Sequence, residues 1–197
     1  MKKRGPWTIR AERLMYQNPW MHVREYDVVK PDGKPGLYGV MEPRFVAVGI
    51  CPVFGNGDTV LVGQHRFTLD AFSWELPEGG APRGEDTLET ARRELAEETG
   101  LSAAHYLPLT RLDMSNSVTS ESAVAYLAWD LIEGAPNREG SEADMEMKRL
   151  PLQTALAMAM SGEIRDAFSV AMLASADYLA RTGALEDKLA RAILTKS

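Results

Sequence analysis

The chain has 197 residues, 45% of them hydrophobic and 25% charged, which excludes a largely disordered protein and favours a single domain with a sizeable core. Its formal charge of −6 disfavours nucleic acid as a partner, and the lack of an apolar run long enough to span a bilayer disfavours a membrane. The one cysteine, Cys51, and a basic N-terminus without an apolar signal segment lead us to expect a cytoplasmic protein.

The first predicted element is an N-terminal β-hairpin. Residues 22–29 alternate in polarity and contain several β-branched residues, and a dense run of turn formers at 31–36 separates them from a second strand at 37–42. A lone hairpin leaves strand edges and apolar side chains that need cover, so we expect it to help form a homodimer. We therefore treat residues 1–44 as a dimerisation arm, not a separate domain, and residues 45–197 as the main domain.

The next elements are strands around a tight turn. Residues 45–53 form an apolar run of strand length, and Asn56-Gly57 is a strong hairpin signal. Residues 59–67 are therefore predicted to pair back on the first strand. Residues 72–77 are predicted to form a further short strand, which ends at a proline.

A central helix is predicted over residues 86–99. Asp86 and Glu89 fit a capping box at its start, and Gly100 suits a left-handed stop at its end. Two strands and two helices follow, at residues 122–131, 143–150, about 151–161 and 166–182. This order of strands, helix, strands and helices indicates an α+β or mixed α/β fold without a regular βαβ alternation.

Three glutamates share one face of the central helix. Glu94, Glu97 and Glu98 stand at positions i, i+3 and i+4, where like charges destabilise a helix by a few tenths of a kcal/mol per pair. Converging carboxylates are the oxygen ligands that hard cations prefer, and Mg²⁺ binds one or two of them together with waters and substrate phosphates. These three residues alone leave a solvated acidic helix face as the alternative.

The sequence around this helix resembles the Nudix box. From Gly79 to Leu101 the chain reads GGAPRGEDTLETARRELAEETGL, which matches every fixed position of the pattern G-x5-E-x7-R-E-U-x-E-E-x-G-U, where U is aliphatic. The resemblance implies the α+β Nudix fold, a mixed β-sheet between helices, here with an N-terminal β arm. It also implies hydrolysis of a nucleoside diphosphate linked to another group, with a metal neutralising phosphate charge and activating water.

The same resemblance implies roles for the box residues. Glu94, Glu97 and Glu98 would hold the metal, which we expect to be Mg²⁺ with Mn²⁺ as a substitute, and Glu97 and Glu98 would also act in catalysis. Glu85 would join the metal shell through water. Arg93 would pair with a box glutamate and keep the carboxylates in place for catalysis, and an exposed helix arginine is the alternative.

The flanks of the box resemble the ADP-ribose and nucleoside diphosphate sugar pyrophosphatases. WELPEGG is similar to the E-x-P-A-G run of that branch, and Glu78 occupies the position whose backbone carbonyl binds metal. GQHRF is similar to a strand whose arginine contacts substrate, here Arg66, with an exposed strand arginine as the alternative. The branch carries S-P-G-x-x-x-E on a mobile loop after the box. Glu121 matches its catalytic glutamate, with a solvent-exposed loop residue as the alternative, but Asn116 and Ser117 replace the proline and glycine.

Residues 16–29 resemble the strands by which members of this branch exchange arms in a homodimer. Trp20 then falls near an aromatic residue that stacks on the nucleobase, and a core or dimer-interface tryptophan is the alternative. The resemblance therefore implies a hydrolase that cleaves nucleoside diphosphate sugars, ADP-ribose included, into nucleoside monophosphate and sugar phosphate. The alternatives are a nucleoside triphosphate or dinucleoside polyphosphate hydrolase and, in another class, a non-catalytic module that binds a nucleotide sugar.

Overall fold

The computed structural model describes residues 2–138, 140 and 143–195. The chain divides after Val46, after Arg111 and after Ser122 into two compact units. The N-terminal unit comprises the chain up to Val46 together with residues 112–122, and the core unit comprises the rest. None of the helices in the described part combines the length and apolarity needed to cross a bilayer.

The N-terminal unit contains a four-stranded antiparallel sheet. In spatial order its strands are β1 (Lys2–Arg4), β2 (Trp7–Gln17), β3 (Met21–Val29) and β4 (Pro35–Pro43). The predicted hairpin corresponds to β3 and β4 and is confirmed, whereas β1 and β2 are absent from the prediction. The last six side chains of β2 are all exposed and its pairing with β3 slips twice, so its sequence shows no clean alternation.

One face of this sheet carries a small apolar cluster. Ile9, Tyr26 and Val28 are buried, and the ring of Trp7 packs edge-on against Tyr38 with centroids 5.4 Å apart. Tyr26 and Val28 of the predicted hairpin are therefore covered within the chain, so the expectation that the hairpin needs a partner for cover is wrong for these two side chains. The unpredicted strand β2 supplies the cover, because it contributes Ile9 and Trp7 to the cluster.

Residues 112–122, the second segment of the N-terminal unit, are hydrogen-bonded to β4. The N–H of Met41 donates to the carbonyl of Val118 at 2.9 Å, and the N–H of Ser120 donates to the carbonyl of Met41 at 3.0 Å. The hydroxyl of Tyr38 donates to the carbonyl of Ser117 at 2.8 Å. These bonds connect the loop that carries Asn116, Ser117 and Glu121 to strand β4.

The core unit contains two further sheets. One has the order β8 (Glu78–Pro82), β5 (Phe45–Val53), β10 (Ser122–Glu133) and β9 (Leu101–Asp113), and the other has the order β11 (Glu146–Pro151), β6 (Asp58–Arg66) and β7 (Ala71–Glu75). Strands β5 and β10 run parallel, with Ala47 opposite Ala123, whereas β6 is antiparallel to both of its neighbours. The last six residues of β5 are all buried, as is usual for a parallel strand covered on both faces.

The predicted hairpin between residues 45–53 and 59–67 is wrong. The tight turn exists, because the N–H of Gly57 donates to the carbonyl of Phe54 at 2.9 Å and Gly57 has a φ of +88°. The flanking strands nevertheless enter different sheets, β5 beside β8 and β10, and β6 beside β7 and β11. Both strands are apolar runs without alternation, so their sequence does not define which partner each strand takes.

Within the described residues four helices complete the core unit, namely α1 (Thr87–Thr99), α2 (Leu152–Ser161), α3 (Ala167–Arg181) and α4 (Asp187–Leu194). The predicted helices correspond to α1, α2 and α3, and the α+β class is confirmed. The carboxylate of Asp86 accepts the N–H of Leu88 at 2.9 Å, and Gly100 ends α1 with a φ of +73°. Glu89 does not complete the predicted capping box and instead pairs with Arg92.

Candidate active site

Helix α1 carries two of its three clustered glutamates among buried residues. Ala91 and Leu95 are fully buried, and Glu94 and Glu98 expose only 6% and 2% of their surface. A glutamate is rarely buried to this extent unless it is paired or binds a metal. The side chain of Glu97 is 38% exposed. Of the three glutamates, Glu97 is therefore the one that fits the alternative of a solvent-exposed acidic helix face.

Arg93 links two of these carboxylates. Its Nη2 lies 2.8 Å from Oε1 of Glu94, and its Nη1 lies 2.9 Å from Oε2 of Glu97. One guanidinium thus restrains a buried and an exposed carboxylate on the same helix. The structure places Arg93 beside the glutamates that the resemblance expects it to orient.

Strand β8 meets α1 at the box glycine. A Cβ atom on Gly79 would overlap the carboxylate of Glu94, so only glycine allows this close approach of strand and side chain. One residue earlier, the N–H of Glu78 donates to Oε2 of Glu98 at 3.1 Å. The backbone of β8 and the buried carboxylates of α1 therefore converge at one place.

Glu85 lies at the start of α1. Its Oε1 accepts a hydrogen bond from the hydroxyl of Thr90 at 2.9 Å, and its N–H donates to the carbonyl of Pro82 at 3.0 Å. It stands nine residues before Glu94 and thirteen before Glu98, or about two and a half and three and a half helical turns. At this distance along the chain, Glu85 is better suited to contact a metal through a water molecule, as the resemblance implies, than to bind the metal directly.

Arg66, at the end of β6, is held by two glutamates. Its Nε donates to both carboxylate oxygens of Glu75, at 2.9 and 3.0 Å, and its Nη2 donates to Glu75 and to Oε1 of Glu78, the latter at 2.9 Å. The Arg66 side chain remains 34% exposed, whereas that of Glu75 is only 4% exposed. Arg66 is therefore a partly exposed cation whose orientation is restrained by Glu75 and Glu78. It is not the freely exposed strand arginine that the sequence left as the alternative.

The carboxylate of Glu78 is in an unusual environment. Its Oε1 accepts from Arg66, but its Oε2 is buried and has no hydrogen-bond partner within the described residues. Burial, together with the nearby carboxylates of Asp166 and Glu75, raises the pKa of Glu78 well above its ordinary value, and Arg66 opposes this only in part. A buried carboxylate oxygen without a partner is costly, which suggests that another group binds here.

The donors in this region suit a hard divalent cation. They are carboxylate oxygens and backbone groups of β8. Glu78, whose Oε2 has no partner among the described residues, also donates its backbone N–H to Glu98. In the part of the chain that the structure describes, no three acidic, histidine or cysteine side chains stand as a preformed metal group, and Arg93 occupies Glu94 and Glu97. The residue types fit a hard divalent cation such as Mg²⁺.

Glu121 and Trp20 belong to the N-terminal unit. Glu121 is half-buried, and its N–H donates to Oγ1 of Thr119 at 3.1 Å. It lines a cavity of about 500 Å³ together with the loop and the rings of Trp7 and Tyr38. Trp20 is 68% exposed, so the alternative of a core tryptophan is wrong, whereas base stacking and a dimer interface both remain compatible with its position.

Sequence reasoning missed two residues that support the site. Glu75 anchors Arg66, and Arg138 donates from Nε to the carbonyl of Glu98 at 2.7 Å and from Nη1 to the carbonyl of Met145 at 2.5 Å. A cation at the carbonyl end of a helix is favourable, so Arg138 helps to fix the end of α1. Glu75 is the first glutamate of the WELPEGG run, so its match to the E-x-P-A-G pattern was the signal that could have found it, whereas nothing in the sequence signals Arg138.

Comparisons with known proteins show the family of the chain. A family model described as the NUDIX domain matches residues 43–170, and one described as the nucleoside diphosphate sugar hydrolase N-terminal domain matches residues 7–41. The chain is 39% identical over 166 residues to the ADP-ribose pyrophosphatase of Mycobacterium tuberculosis, covering 83% of this chain and 79% of that protein. It is 32% identical over 142 residues to the ADP-ribose pyrophosphatase of Bacillus subtilis, covering 72% and 76%.

The fold has a close counterpart among solved structures. A crystal structure of an ADP compounds hydrolase matches with a TM-score of 0.79 at 23% sequence identity, covering 94% of this chain and all of that one. At this identity the likeness concerns the fold, and it confirms the predicted Nudix fold. Together with the family models and the two relatives, it places the chain in the Nudix hydrolase superfamily, in the branch of ADP-ribose and nucleoside diphosphate sugar pyrophosphatases.

Proposed function

We propose that this protein is an Mg²⁺-dependent hydrolase that cleaves the pyrophosphate of nucleoside diphosphate sugars, ADP-ribose among them, into nucleoside monophosphate and sugar phosphate. The observation that carries the proposal is the convergence of buried Glu94 and Glu98 on the backbone of β8 at Gly79. A folded core gains nothing from two buried carboxylates at such a place, but a catalyst that must hold a divalent cation does.

The roles of the box residues follow from their positions. Glu94, Glu97 and Glu98, with the backbone carbonyl of Glu78, would hold the metal. When bound, the metal supplies positive charge to the phosphate oxygens and lowers the pKa of the attacking water. Arg93 restrains the orientation of Glu94 and Glu97, and Glu98 or Glu97 is suited to accept a proton as the water attacks phosphorus.

Two further residues extend this site to the substrate. Arg66 donates to a phosphate oxygen from the exposed part of its guanidinium, while hydrogen bonds to the buried Glu75 hold its orientation. Glu121 is brought to the reacting phosphates by movement of its loop when substrate binds. Glu85 contributes through the water shell of the metal.

The N-terminal unit is proposed to bind the nucleoside end of the substrate. Its sheet matches the N-terminal domain of nucleoside diphosphate sugar hydrolases, and two relatives act on ADP-ribose by name. Exposed Trp20 offers a face on which a nucleobase can stack. Because Asn116 and Ser117 replace the proline and glycine of the ADP-ribose-specific loop, we propose that the enzyme accepts several nucleotide sugars.

We further propose a homodimer that uses residues 1–44, with residues 45–197 as the hydrolase domain, acting in the cytoplasm. Support comes from large apolar side chains that the N-terminal unit leaves exposed on β2, after its end and on β4: Leu14, Met15, Tyr16, Trp20 and Leu37. Exposed apolar side chains of this size can be covered at an interface between two copies of the chain. The single cysteine, Cys51, is buried, so it demands no oxidising compartment.

A panel of substrates tests the proposed activity. The purified protein is incubated with Mg²⁺ and ADP-ribose, ADP-glucose, UDP-glucose, GDP-mannose, a dinucleoside polyphosphate or a nucleoside triphosphate, and the products are separated. We expect turnover of the sugar nucleotides, with a nucleoside monophosphate as product. Turnover of the triphosphate or the dinucleoside polyphosphate alone would show that the substrate assignment is wrong.

A further inference from the structure

The glutamate at position 78 has a side chain whose role the proposed reaction does not explain. The reaction uses only the backbone carbonyl of this residue, and the related pattern has alanine here. In this chain the side chain reaches Nη2 of Arg66 instead, at 2.9 Å. The substrate-binding arginine is therefore shared between two carboxylates of its own protein, Glu75 and Glu78.

The two carboxylates occupy different edges of the Arg66 guanidinium. Glu75 takes the edge formed by Nε and Nη2, because both of its oxygens accept from Nε and one accepts from Nη2. Glu78 takes the remaining hydrogen of Nη2. A guanidinium binds phosphate best through two parallel N–H groups on one edge. Only the edge formed by Nη1 and Nη2 remains for such binding, and Glu78 occupies half of it.

The two carboxylates also differ in how firmly they are held. The side chain of Glu75 is 4% exposed and makes three contacts with Arg66. That of Glu78 is 20% exposed, makes one such contact and leaves its buried Oε2 without a partner among the described residues. Glu78 also faces the negative charges of Glu75, Asp166 and Glu98. Glu78 is therefore the partner that an incoming anion can displace.

We propose that Glu78 is a positioning residue that competes with the substrate diphosphate for Nη2 of Arg66 and must leave it before the diphosphate binds through both Nη groups. This inference rests on the proposed function only for the class of ligand, a diphosphate. It predicts that the two glutamates have opposite effects on anion affinity. Glu75 strengthens diphosphate binding by orienting Arg66, and Glu78 weakens it by occupying the same guanidinium.

The test measures binding of methylenediphosphonate, a diphosphate analogue without nucleoside or sugar, by ³¹P NMR titration in the presence of EDTA. In EDTA the backbone carbonyl of Glu78 has no metal ion to bind, so the experiment tests the side chain of Glu78 alone. We expect Glu78→Ala and Glu78→Gln to lower the dissociation constant by about three- to tenfold. Glu75→Gln should raise it, and in an Arg66→Ala background the Glu78 substitutions should change nothing.

Two controls separate competition from other causes. Asp166→Asn removes a nearby negative charge that does not bond Arg66 and keeps an oxygen for the N–H of Ser169, so a gain as large as that of Glu78→Gln would attribute the effect to general repulsion and overturn the proposal. Melting temperatures show whether each variant is folded. An unchanged or raised dissociation constant in folded Glu78→Ala, or a gain that persists without Arg66, would also overturn it, whatever the substrate panel gives.

Discussion

At the scale of single residues, burial separates the three clustered box glutamates into two groups. Glu94 and Glu98 are almost fully buried next to the core residue Leu95, whereas the exposed Glu97 is reached by the same arginine that binds Glu94. A change from carboxylate to amide keeps the shape of each side chain and removes its charge. Such a change therefore tests the electrostatic role of the residue separately from its packing.

We predict that Glu94→Gln and Glu98→Gln lower kcat by at least about a hundredfold at saturating Mg²⁺, because each removes a charged ligand from an electrostatic catalyst. Circular dichroism and the melting temperature should remain close to those of the wild type. Glu89→Gln is the matched control, since Glu89 lies on the same helix and pairs with Arg92 at the surface. Near-wild-type turnover in either box variant would refute the metal assignment.

A second prediction at this scale concerns Glu121. If its loop delivers a base or metal ligand to the shared pyrophosphate, Glu121→Gln should lower kcat by a similar factor on every substrate. The paired change Asn116→Pro and Ser117→Gly should instead alter the ratio of kcat/KM between ADP-ribose and other sugar nucleotides. A loss of kcat below about threefold on every substrate, which is under ~1 kcal/mol of transition-state energy, would make Glu121 a bystander.

At the scale of elements, the contact between β8 and α1 positions the glutamates of the proposed site. It depends on the absence of a side chain at Gly79, where a Cβ atom would overlap the Glu94 carboxylate. We predict that Gly79→Ala displaces Glu94 and reduces kcat together with the apparent affinity for Mg²⁺. Gly55→Ala is the control, because a Cβ atom there has open space and no positive φ. Equal activity of the two variants would contradict this account of the box glycine.

The elements also show where sequence reasoning succeeds. Helix α1 was predictable because its caps, Asp86 and Gly100, and its buried positions are all local signals. The partners of β5 and β6 were not, since two uniformly apolar strands do not specify which neighbours they take. Arg138 escaped notice for a related reason: its bond to the carbonyl of Glu98 joins residues 40 positions apart, and a lone arginine in a loop carries no pattern.

At the scale of the whole molecule, the N-terminal sheet and the loop of Glu121 belong to one compact unit. The loop is hydrogen-bonded to Met41 and Tyr38 of β4. We predict that deletion of residues 1–44 removes the hydrogen bonds of the loop to β4 and also removes the surface that we propose for the dimer. The truncated chain should be monomeric or aggregated by light scattering and should bind substrate poorly. A full-length protein that is monomeric at micromolar concentration would contradict the proposed dimer.

The most direct test of the central claim is hydrolysis of ADP-ribose in ¹⁸O-labelled water, with Mg²⁺ and with EDTA. If water attacks phosphorus at a site built by Glu94 and Glu98, the products with Mg²⁺ are AMP and ribose 5-phosphate, and one of the two carries a single ¹⁸O in its phosphate. EDTA should abolish turnover. Turnover that survives EDTA, or release of ADP with no ¹⁸O in any phosphate, would contradict metal-dependent cleavage of the pyrophosphate.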